Sequence, residues 1–261
     1  MRSSPTPSAK VFITGASSGI GAALAAHYAA RGEQLGLVAR RGETLAEVAR
    51  ALPGSPALYV ADVADAKAMF DAAQDFMARF GVPDIVIANA GVSVGTLTEH
   101  AEDVAVFERV MRTNVVGLAA TFQPFVAPMR EARRGRLAGI ASVAGMRGLP
   151  GAGAYSASKA AAIAYLEALR IELRPSGVRV VTVCPGYVAT PMTAVNKYRM
   201  PFILPADVAA RRIGRVIDAG RAYAVVPWQM ALVARAMKLL PNAVYDRLFR
   251  RAGRKPRGLK L

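Results

Sequence analysis

Residues 11–21 read VFITGASSGIG, and this stretch decides how the chain begins to fold. Val11–Thr14 is a short apolar run typical of a buried strand, and the pattern that follows it is helical. Gly15, Gly19 and Gly21 lie in the turn between the two. Glycines permit a tight turn and a close approach of backbone to ligand, and the free N–H groups at a helix start attract anions. The segment therefore predicts a strand–turn–helix unit. A tight turn without a ligand remains an alternative, because the spacing G-x-x-x-G-x-G differs from the G-x-G-x-x-G fingerprint.

Short apolar runs alternate with helical patterns along most of the chain. Near-continuous apolar strands are typical of a parallel sheet that helices cover on both faces, so the pattern predicts one α/β domain. The predicted strands are residues 11–14, 35–39, 57–61, 85–88, 136–141, 178–183 and 223–226. The predicted helices are residues 20–31, 44–52, 65–80, 104–124, 155–173 and 206–219.

Four segments differ in their organisation. Residues 1–8 are polar and are expected to form a flexible N-terminus, and residues 9–226 carry the alternating pattern. Residues 190–205 have no clear period and are long enough for a substrate lid. Residues 227–261 are predicted to form a C-terminal helical extension, with helices at 228–240 and 242–251, followed by a basic tail that includes Arg247, Arg250, Arg251, Arg254, Lys255, Arg257 and Lys260.

Composition limits the classes of protein to be considered. The chain has 261 residues, of which 53% are hydrophobic, so it can bury a large core and is not of the disordered class. The net charge of +16 favours anionic partners such as phosphorylated cofactors, acidic lipid surfaces or nucleic acid. A lone cysteine, Cys184, excludes an intrachain disulfide and a multi-cysteine zinc site, and two histidines are too few for a His-rich metal centre. No secretory signal or run of 18 apolar residues is present, so a cytoplasmic location is expected.

Two arginines follow the second predicted strand, in Ala39-Arg40-Arg41. Sites for NAD usually have an acidic residue near this point, which binds the ribose 2′-hydroxyl, whereas an arginine accommodates the 2′-phosphate of NADP. The two arginines therefore predict a preference for NADP(H). The alternative is that they are ordinary solvated charges.

Tyr155 and Lys159 are four residues apart in a predicted helix and therefore share one face. A phenol, whose reference pKa is about 10, is a poor acid or base at neutral pH. A nearby ammonium group is expected to lower the pKa of Tyr155 toward the working range. Ser142 ends the fifth strand, where a crevice is expected, and Asn114 lies in the long helix before it. A Tyr-x-x-x-Lys pair alone is common and often structural, so the other groups matter.

The ordered set of motifs resembles the short-chain dehydrogenase/reductase family over about residues 9–226. The matching positions are Thr14–Gly21, Asn89-Ala90-Gly91, Asn114, Ser142, Tyr155, Lys159 and Pro185-Gly186. The resemblance implies a single Rossmann-type, doubly wound parallel sheet of about seven strands, which binds a nicotinamide cofactor and catalyses carbonyl/alcohol redox chemistry. It also implies a homodimer or homotetramer formed through the long helices around Asn114 and Tyr155.

The resemblance implies a role for each matching catalytic position. Tyr155 would be the general acid in reduction and the base in the reverse direction, and Lys159 would lower its pKa and hold the nicotinamide ribose. Ser142 would bind the substrate oxygen, and Asn114 would hold a water in a proton relay. Asp62 would contact adenine and Thr190 the nicotinamide carboxamide. The cofactor-binding set is Gly15, Ser17, Ser18, Gly19, Ile20, Gly21, Arg40, Arg41, Asp62, Val63, Asn89, Ala90, Gly91, Tyr155, Lys159, Pro185, Gly186, Val188 and Thr190, with no metal.

The lid segment is apolar and favours a hydrophobic ketone, aldehyde or secondary alcohol as substrate, although these residues would also serve simply to pack the lid. Its apolar residues are Pro191, Met192, Val195, Tyr198, Met200, Phe202, Ile203 and Leu204. Arg147 and Lys197 are candidate clamps for a substrate head group. Apolar residues of the extension, together with the basic tail, predict an amphipathic membrane contact: Met230, Leu232, Val233, Met237, Leu239 and Leu240. Because some relatives that handle lipids or steroids carry such helices, the resemblance gives weight to a lipid- or steroid-like substrate.

Several alternatives to these assignments remain open. The extension could instead pack on the body of the protein or on another subunit, followed by a disordered tail. For the whole chain, the alternative to an NADP(H)-dependent oxidoreductase is a non-catalytic NADP-binding regulatory protein. Nucleic-acid binding is not expected, because no zinc finger, aromatic RNA motif or helix-turn-helix accompanies the positive charge.

Overall fold

A computed structural model describes residues 8–259 of the chain. Residues 1–7 of the predicted N-terminal segment, and Lys260 of the basic tail, lie outside the described residues. Within the described part, no helix is both long enough and apolar enough to cross a membrane.

Seven parallel strands form the main sheet in the order β3-β2-β1-β4-β5-β6-β9, which confirms the predicted doubly wound Rossmann-type architecture. The order reverses between β1 and β4, and α/β sheets bind ligands at such a switch point. A separate short pair joins β7 to β8. The strands are β1 Lys10–Thr14, β2 Gln34–Ala39, β3 Ala57–Val60, β4 Ile85–Ala88, β5 Arg136–Ile140, β6 Arg179–Pro185, β7 Val188–Ala189, β8 Leu204–Pro205 and β9 Tyr223–Val226.

Helices cover both faces of this sheet, and side chains of β1 alternate between the two resulting cores. Val11 and Ile13 pack on the face that holds Leu24, Tyr28, Leu45, Ile213 and Ile217. Phe12 packs on the other face with Met69, Phe76, Phe122, Phe125 and Leu166. The helices are α1 Gly19–Ala29, α2 Gly42–Arg50, α3 Ala66–Phe80, α4 Glu102–Met111, α5 Gly117–Glu131, α6 Gly153–Leu173, α7 Pro191–Ala194, α8 Ala206–Asp218, α9 Trp228–Leu239 and α10 Asn242–Phe249.

The long helix predicted to end near residue 124 continues to Glu131, so that prediction is wrong. A π-helical turn, Arg112–Val116, joins α4 to α5, and Pro124 and Pro128 lie inside α5. A proline in a helix interior costs about 3 kcal/mol. Burial of the large side chains of α5 in the core contributes about 1.5–3 kcal/mol each, which offsets that cost. The fully buried side chains are Phe122, Phe125 and Met129.

Residues 252–259, which follow α10, pack on the body of the protein, unlike the disordered tail that was one of the alternatives. The amide of Gly95 donates to the carbonyl of Pro256 at 2.9 Å. Arg257 bonds Asp103 at 2.8 Å and Glu102 at 2.9 Å. The sequence of this segment shows no helix or strand periodicity, because single polar contacts, and not a regular element, hold it in place.

Candidate active site

A cavity of about 640 Å³ opens at the carboxyl ends of the central strands. The structure brings all predicted site residues into its lining except Gly21 and Asn114. Those that line it are Gly15, Ser17, Ser18, Gly19, Ile20, Arg40, Arg41, Asp62, Val63, Asn89, Ala90, Gly91, Ser142, Tyr155, Lys159, Pro185, Gly186, Val188 and Thr190. Its size lies in the range typical of cofactor and small-molecule sites.

The glycine turn fits closely against the end of β4. Gly15 has a φ of +67°, and a Cβ there would lie 2.7 Å from the Cα of Ala90. A Cβ on Gly21 would lie 2.1 Å from the carbonyl oxygen of Gly15, so neither position accepts a larger residue without movement. The side-chain Nδ2 of Asn89 donates to the carbonyl of Thr14 at 3.0 Å and thereby connects the turn to the end of β4. Gly21 therefore does not line the cavity, but its lack of a side chain lets the glycine turn adopt this conformation.

The start of α1 has the features of an anion site. Ser18 is its N-cap, but the serine side chain makes no capping bond, and no acidic residue lies in the first turn. The N–H groups at this end thus carry the positive end of the helix dipole without a resident anion from the helix itself. The turn and the helix end together fit a phosphate group.

Arg40 and Arg41 have different surroundings. The Arg41 Nη2 lies 3.4 Å from the hydroxyl of Ser17 and 3.4 Å from that of Ser18, so this guanidinium faces the glycine turn. The Arg40 Nη1 lies 3.7 Å from the carboxylate of Asp62. The sequence alone does not show which of the two arginines faces the glycine turn, because the direction of each side chain depends on the residue at which β2 ends.

Ser142, Tyr155 and Lys159 meet at one end of the cavity. Ser142 follows β5 in an extended conformation, and its Oγ accepts from the amide of Ala144 at 3.1 Å. The Lys159 Nζ lies 5.9 Å from the centre of the Tyr155 ring, as expected for residues one helical turn apart on α6. The same Nζ donates to the carbonyl of Ile140 at 2.8 Å.

The protonation of this group differs from the sequence-based expectation. Burial raises the pKa of Tyr155, and a hydrogen bond with Ser142 opposes this rise only in part. Burial also lowers the pKa of Lys159 to about 8. The predicted lowering of the Tyr155 pKa by Lys159 is therefore not found, because burial of the phenol dominates. The phenol holds its proton at neutral pH.

Asn114 lies in the π-helical turn and is 1% exposed. Its side chain donates to the carbonyl of Val92 at 3.0 Å and to the Ser158 hydroxyl at 2.9 Å, and it accepts from the Val92 amide at 2.8 Å. These bonds connect the loop after β4 to α6. The preceding residue, Thr113, lines the cavity instead. A proton relay through Asn114 stays a prediction.

A second cavity, of about 390 Å³, adjoins the first and shares Ser142 and Tyr155 with it. Apolar side chains form most of its wall: Val143, Leu149, Pro150, Tyr187, Met192, Tyr198 and Phe249. Of the apolar residues predicted for the lid, Met192 and Tyr198 line it, and Pro191 and Met192 line the larger cavity. We call this smaller space the substrate cavity.

The C-terminal extension contributes to the substrate cavity, which the sequence analysis missed. Phe249, Ala252, Gly253 and Lys255 line it. These residues belong to no motif, and they lie far along the chain from Ser142 and Tyr155. The sequence shows that the tail is basic, but it does not show that the tail packs beside Ser142 and Tyr155 and lines this cavity.

Arg147, a candidate substrate clamp, anchors the extension instead. Its guanidinium donates to the carbonyls of Met237 and Leu240 and to the Asn242 side chain, the last at 2.8 Å. The guanidinium carbon lies 3.9 Å from the centre of the Tyr245 ring. Arg147 therefore fixes the junction between α9 and α10 to the loop that precedes α6. Lys197, the other candidate, does not line either cavity.

No cluster of three or more His, Cys, Asp or Glu side chains that could hold a metal ion occurs among residues 8–259.

Comparisons with known proteins agree with this geometry. The family model described as short chain dehydrogenase matches residues 9–200. An uncharacterized oxidoreductase from Myxococcus xanthus is 39% identical over 245 residues, which cover 92% of this chain and 95% of that protein. The 11-beta-hydroxysteroid dehydrogenase-like 3 protein of Arabidopsis thaliana is 35% identical over 246 residues, covering 90% of this chain and 78% of that one. The crystal structure of a short-chain dehydrogenase from Streptomyces avermitilis has a TM-score of 0.76 at 25% identity, covering 93% of this chain and 95% of that one. The chain belongs to the short-chain dehydrogenase/reductase family of nicotinamide-dependent oxidoreductases.

Proposed function

We propose that this enzyme is an NADP(H)-dependent reductase of hydrophobic ketones or aldehydes, which also runs in reverse on secondary alcohols. One observation carries the proposal. Ser142 and Tyr155 line both cavities, so a proton donor and a hydrogen-bonding hydroxyl lie where a dinucleotide site adjoins an apolar pocket. Residues 9–226 supply the cofactor site and the proton donor, and the extension completes the substrate cavity.

The residues around the larger cavity suit a nicotinamide dinucleotide. The glycine turn and the start of α1 would hold its pyrophosphate, Asp62 its adenine and Thr190 its carboxamide. Arg41 would bind the 2′-phosphate together with Ser17 and Ser18, which favours NADP(H) over NAD(H). When bound, the cofactor supplies or accepts the hydride.

The side chains at the junction would control the proton. Tyr155 is protonated at neutral pH because burial raises its pKa, so it can donate to a substrate carbonyl oxygen as negative charge develops there. Ser142 would donate a second hydrogen bond to the same oxygen. In the oxidative direction, the deprotonated Tyr155 would accept the proton of the alcohol. The raised pKa makes oxidation the direction that gains most from alkaline conditions.

Apolar lining and the names of relatives support a hydrophobic substrate. The wall of the substrate cavity holds Leu149, Met192 and Phe249, which favour a carbon skeleton over a sugar or nucleotide. A relative named as hydroxysteroid dehydrogenase-like supports a steroid- or lipid-like skeleton.

The proposal is tested by NADPH oxidation against a panel of acyl, steroid-like, sphingoid and aromatic ketones. The wild-type enzyme is expected to reduce at least one class, and Tyr155→Phe is expected to bind NADPH but to lose that activity. A wild-type enzyme that binds NADPH and reduces no member of the panel would favour the alternative of a non-catalytic NADP-binding regulator. The intact set of Ser142, Tyr155 and Lys159 argues against that alternative.

Exposed apolar side chains on α4, α6 and the π-helical turn support self-association as a homodimer or homotetramer. Val104, Phe107, Val116 and Ile171 are all exposed on these elements. Exposed large apolar side chains are often part of an interface.

A peripheral membrane contact through α9 is also proposed. Trp228, Leu232 and Leu239 are 65%, 57% and 83% exposed, and their helical spacing puts them on one face together with Arg235. Met230, which the sequence analysis placed in the membrane contact, is 3% exposed and packs inward, because the helix seats on the body there. Sedimentation with phosphatidylserine vesicles tests this contact. A Trp228→Ser/Leu239→Ser variant is expected to lose binding that a matched Phe70→Ser/Leu58→Ser variant, which removes two exposed apolar side chains elsewhere, keeps. Equal binding by both variants would refute the contact.

A further inference from the structure

Lys255 is a buried cation in the segment that follows α10. Only 8% of the residue is exposed. Its Nζ donates to the carbonyl of Met192 at 2.9 Å, and this is the one hydrogen bond that its side chain makes within residues 8–259. An ammonium group has three donors, so two stay unused by the protein. Burial lowers its pKa to about 8, which leaves it charged at neutral pH.

This cation has no acidic partner in the described part of the chain. Two residues away, Arg257 bonds both Asp103 and Glu102. Lys255 forms no ion pair with any carboxylate of residues 8–259. Buried charges are normally paired, because an unpaired one loses its hydration without compensation. An unpaired buried charge in a cleft is a candidate for a functional site.

The position of Lys255 links this charge to the substrate. Lys255 lines the substrate cavity, whose lining also contains Ser142 and Tyr155. A second cation, Arg199, lines the same cavity, whereas no aspartate or glutamate among the described residues does so. Leu149, Tyr187 and Phe249 provide apolar wall. The cavity thus combines a carbonyl-binding pair, an apolar wall and an unneutralised cation.

We infer that Lys255 is the counter-ion for an acidic group of the substrate, which is therefore a hydrophobic carbonyl compound that also carries a carboxylate. The carbonyl would lie at Tyr155 and Ser142, the carbon skeleton along the apolar wall and the carboxylate at Lys255. This inference rests on the proposed reductase function. It makes the C-terminal tail, which lies beyond the recognisable motifs, the segment that selects the substrate.

A purely structural role for Lys255 predicts different behaviour. Its bond to Met192 connects the tail to α7, so Lys255 could serve only to hold the tail over the cavity. In that case its loss would affect acidic and neutral substrates to the same degree. An anion site affects the acidic substrate selectively, so the ratio of the two activities separates the roles.

The experiment compares an aliphatic keto acid with its methyl ester as substrates of the wild-type enzyme and of Lys255→Met, Lys255→Arg and Lys238→Met. The wild-type enzyme is expected to have the higher kcat/KM for the acid. In Lys255→Met the acid-to-ester ratio of kcat/KM is expected to fall by about 10- to 150-fold, the loss typical of one charge-assisted hydrogen bond. Lys255→Arg keeps the charge and should retain more of the ratio. Lys238→Met, which removes an exposed lysine from α9, should leave the ratio unchanged.

Two outcomes would overturn the inference: an ester preference in the wild-type enzyme, or an unchanged ratio in Lys255→Met. Calorimetric binding of decanoate, which has no carbonyl to reduce, tests the anion site without catalysis. Decanoate should bind the wild-type protein at least tenfold more tightly than Lys255→Met, with circular dichroism confirming that the variant is folded. If neither substrate is reduced but this difference persists, the reductase proposal fails while the anion site stands. Equal decanoate binding would refute the anion site, whatever the activity.

Discussion

Replacing Arg41 by alanine should change the choice between NADPH and NADH, whereas replacing Arg40 should change it much less. Arg41 lies 3.4 Å from the hydroxyls of both Ser17 and Ser18, beside the turn that fits the cofactor. A charge-assisted hydrogen bond to phosphate contributes about 1.5–3 kcal/mol, and about 1.4 kcal/mol corresponds to a factor of ten. Arg41→Ala should therefore lower kcat/KM for NADPH by about 10- to 150-fold. The value for NADH should change by less than about threefold, because NADH has no 2′-phosphate.

Arg40 provides the matched control for this prediction. It already lies 3.7 Å from Asp62, and an exposed ion pair of this kind is worth about 0–1 kcal/mol. Arg40→Ala should lower the NADPH-to-NADH ratio of kcat/KM by less than about fivefold. Initial rates with each cofactor at a fixed ketone concentration give the ratio. A ratio that Arg41→Ala leaves unchanged, or that Arg40→Ala lowers more, would refute the assignment of the 2′-phosphate to Arg41.

Three further predictions concern the turn, the tail and the surface. Gly21→Ala should weaken NADPH binding at least tenfold in calorimetry, since the added Cβ would lie 2.1 Å from the Gly15 carbonyl oxygen. Gly153→Ala is the control, because a Cβ there meets open space. Equal NADPH binding by both variants would contradict the prediction. Lys255→Met should raise the free energy of unfolding at pH 7 in urea titrations, because the desolvation penalty of the buried ammonium group outweighs its single hydrogen bond to Met192. This advantage should shrink between pH 8 and 10.5: the lysine binds protons more tightly in the unfolded state, so wild-type stability rises with pH over that window. A less stable variant at pH 7 would show that the buried charge is already compensated. Phe107→Asp should shift the protein toward the monomer in light scattering, whereas an unchanged mass would place the subunit interface elsewhere.

The sheet and the glycine-turn end of the larger cavity could be predicted because local sequence determines them. The glycine turn between β1 and α1 and the apolar runs of the strands depend on neighbouring residues only. The Tyr155–Lys159 pair also follows from helical spacing. These features need no knowledge of distant contacts, which is why their positions in the structure agree with the sequence pattern.

Features that depend on distant contacts could not be predicted. The pKa of Tyr155 is raised rather than lowered, because burial around α6 depends on the whole fold. The helix past Pro124 continues because its far side is buried in the core. The tail docks through single hydrogen bonds, from Lys255 to Met192 and from Gly95 to Pro256, which leave no periodic signal in the sequence.

The most direct test of the account is a single-turnover measurement of hydride transfer from NADPH to a hydrophobic ketone, comparing Tyr155→Phe with the wild-type enzyme. Because Tyr155 is assigned the proton transfer and not the main cofactor contacts, the variant should bind NADPH with a Kd within about threefold of the wild-type value. Its transfer rate should fall by about 10²- to 10⁴-fold, the usual contribution of a general acid. A Tyr155→Phe enzyme that transfers hydride within tenfold of the wild-type rate would contradict the account.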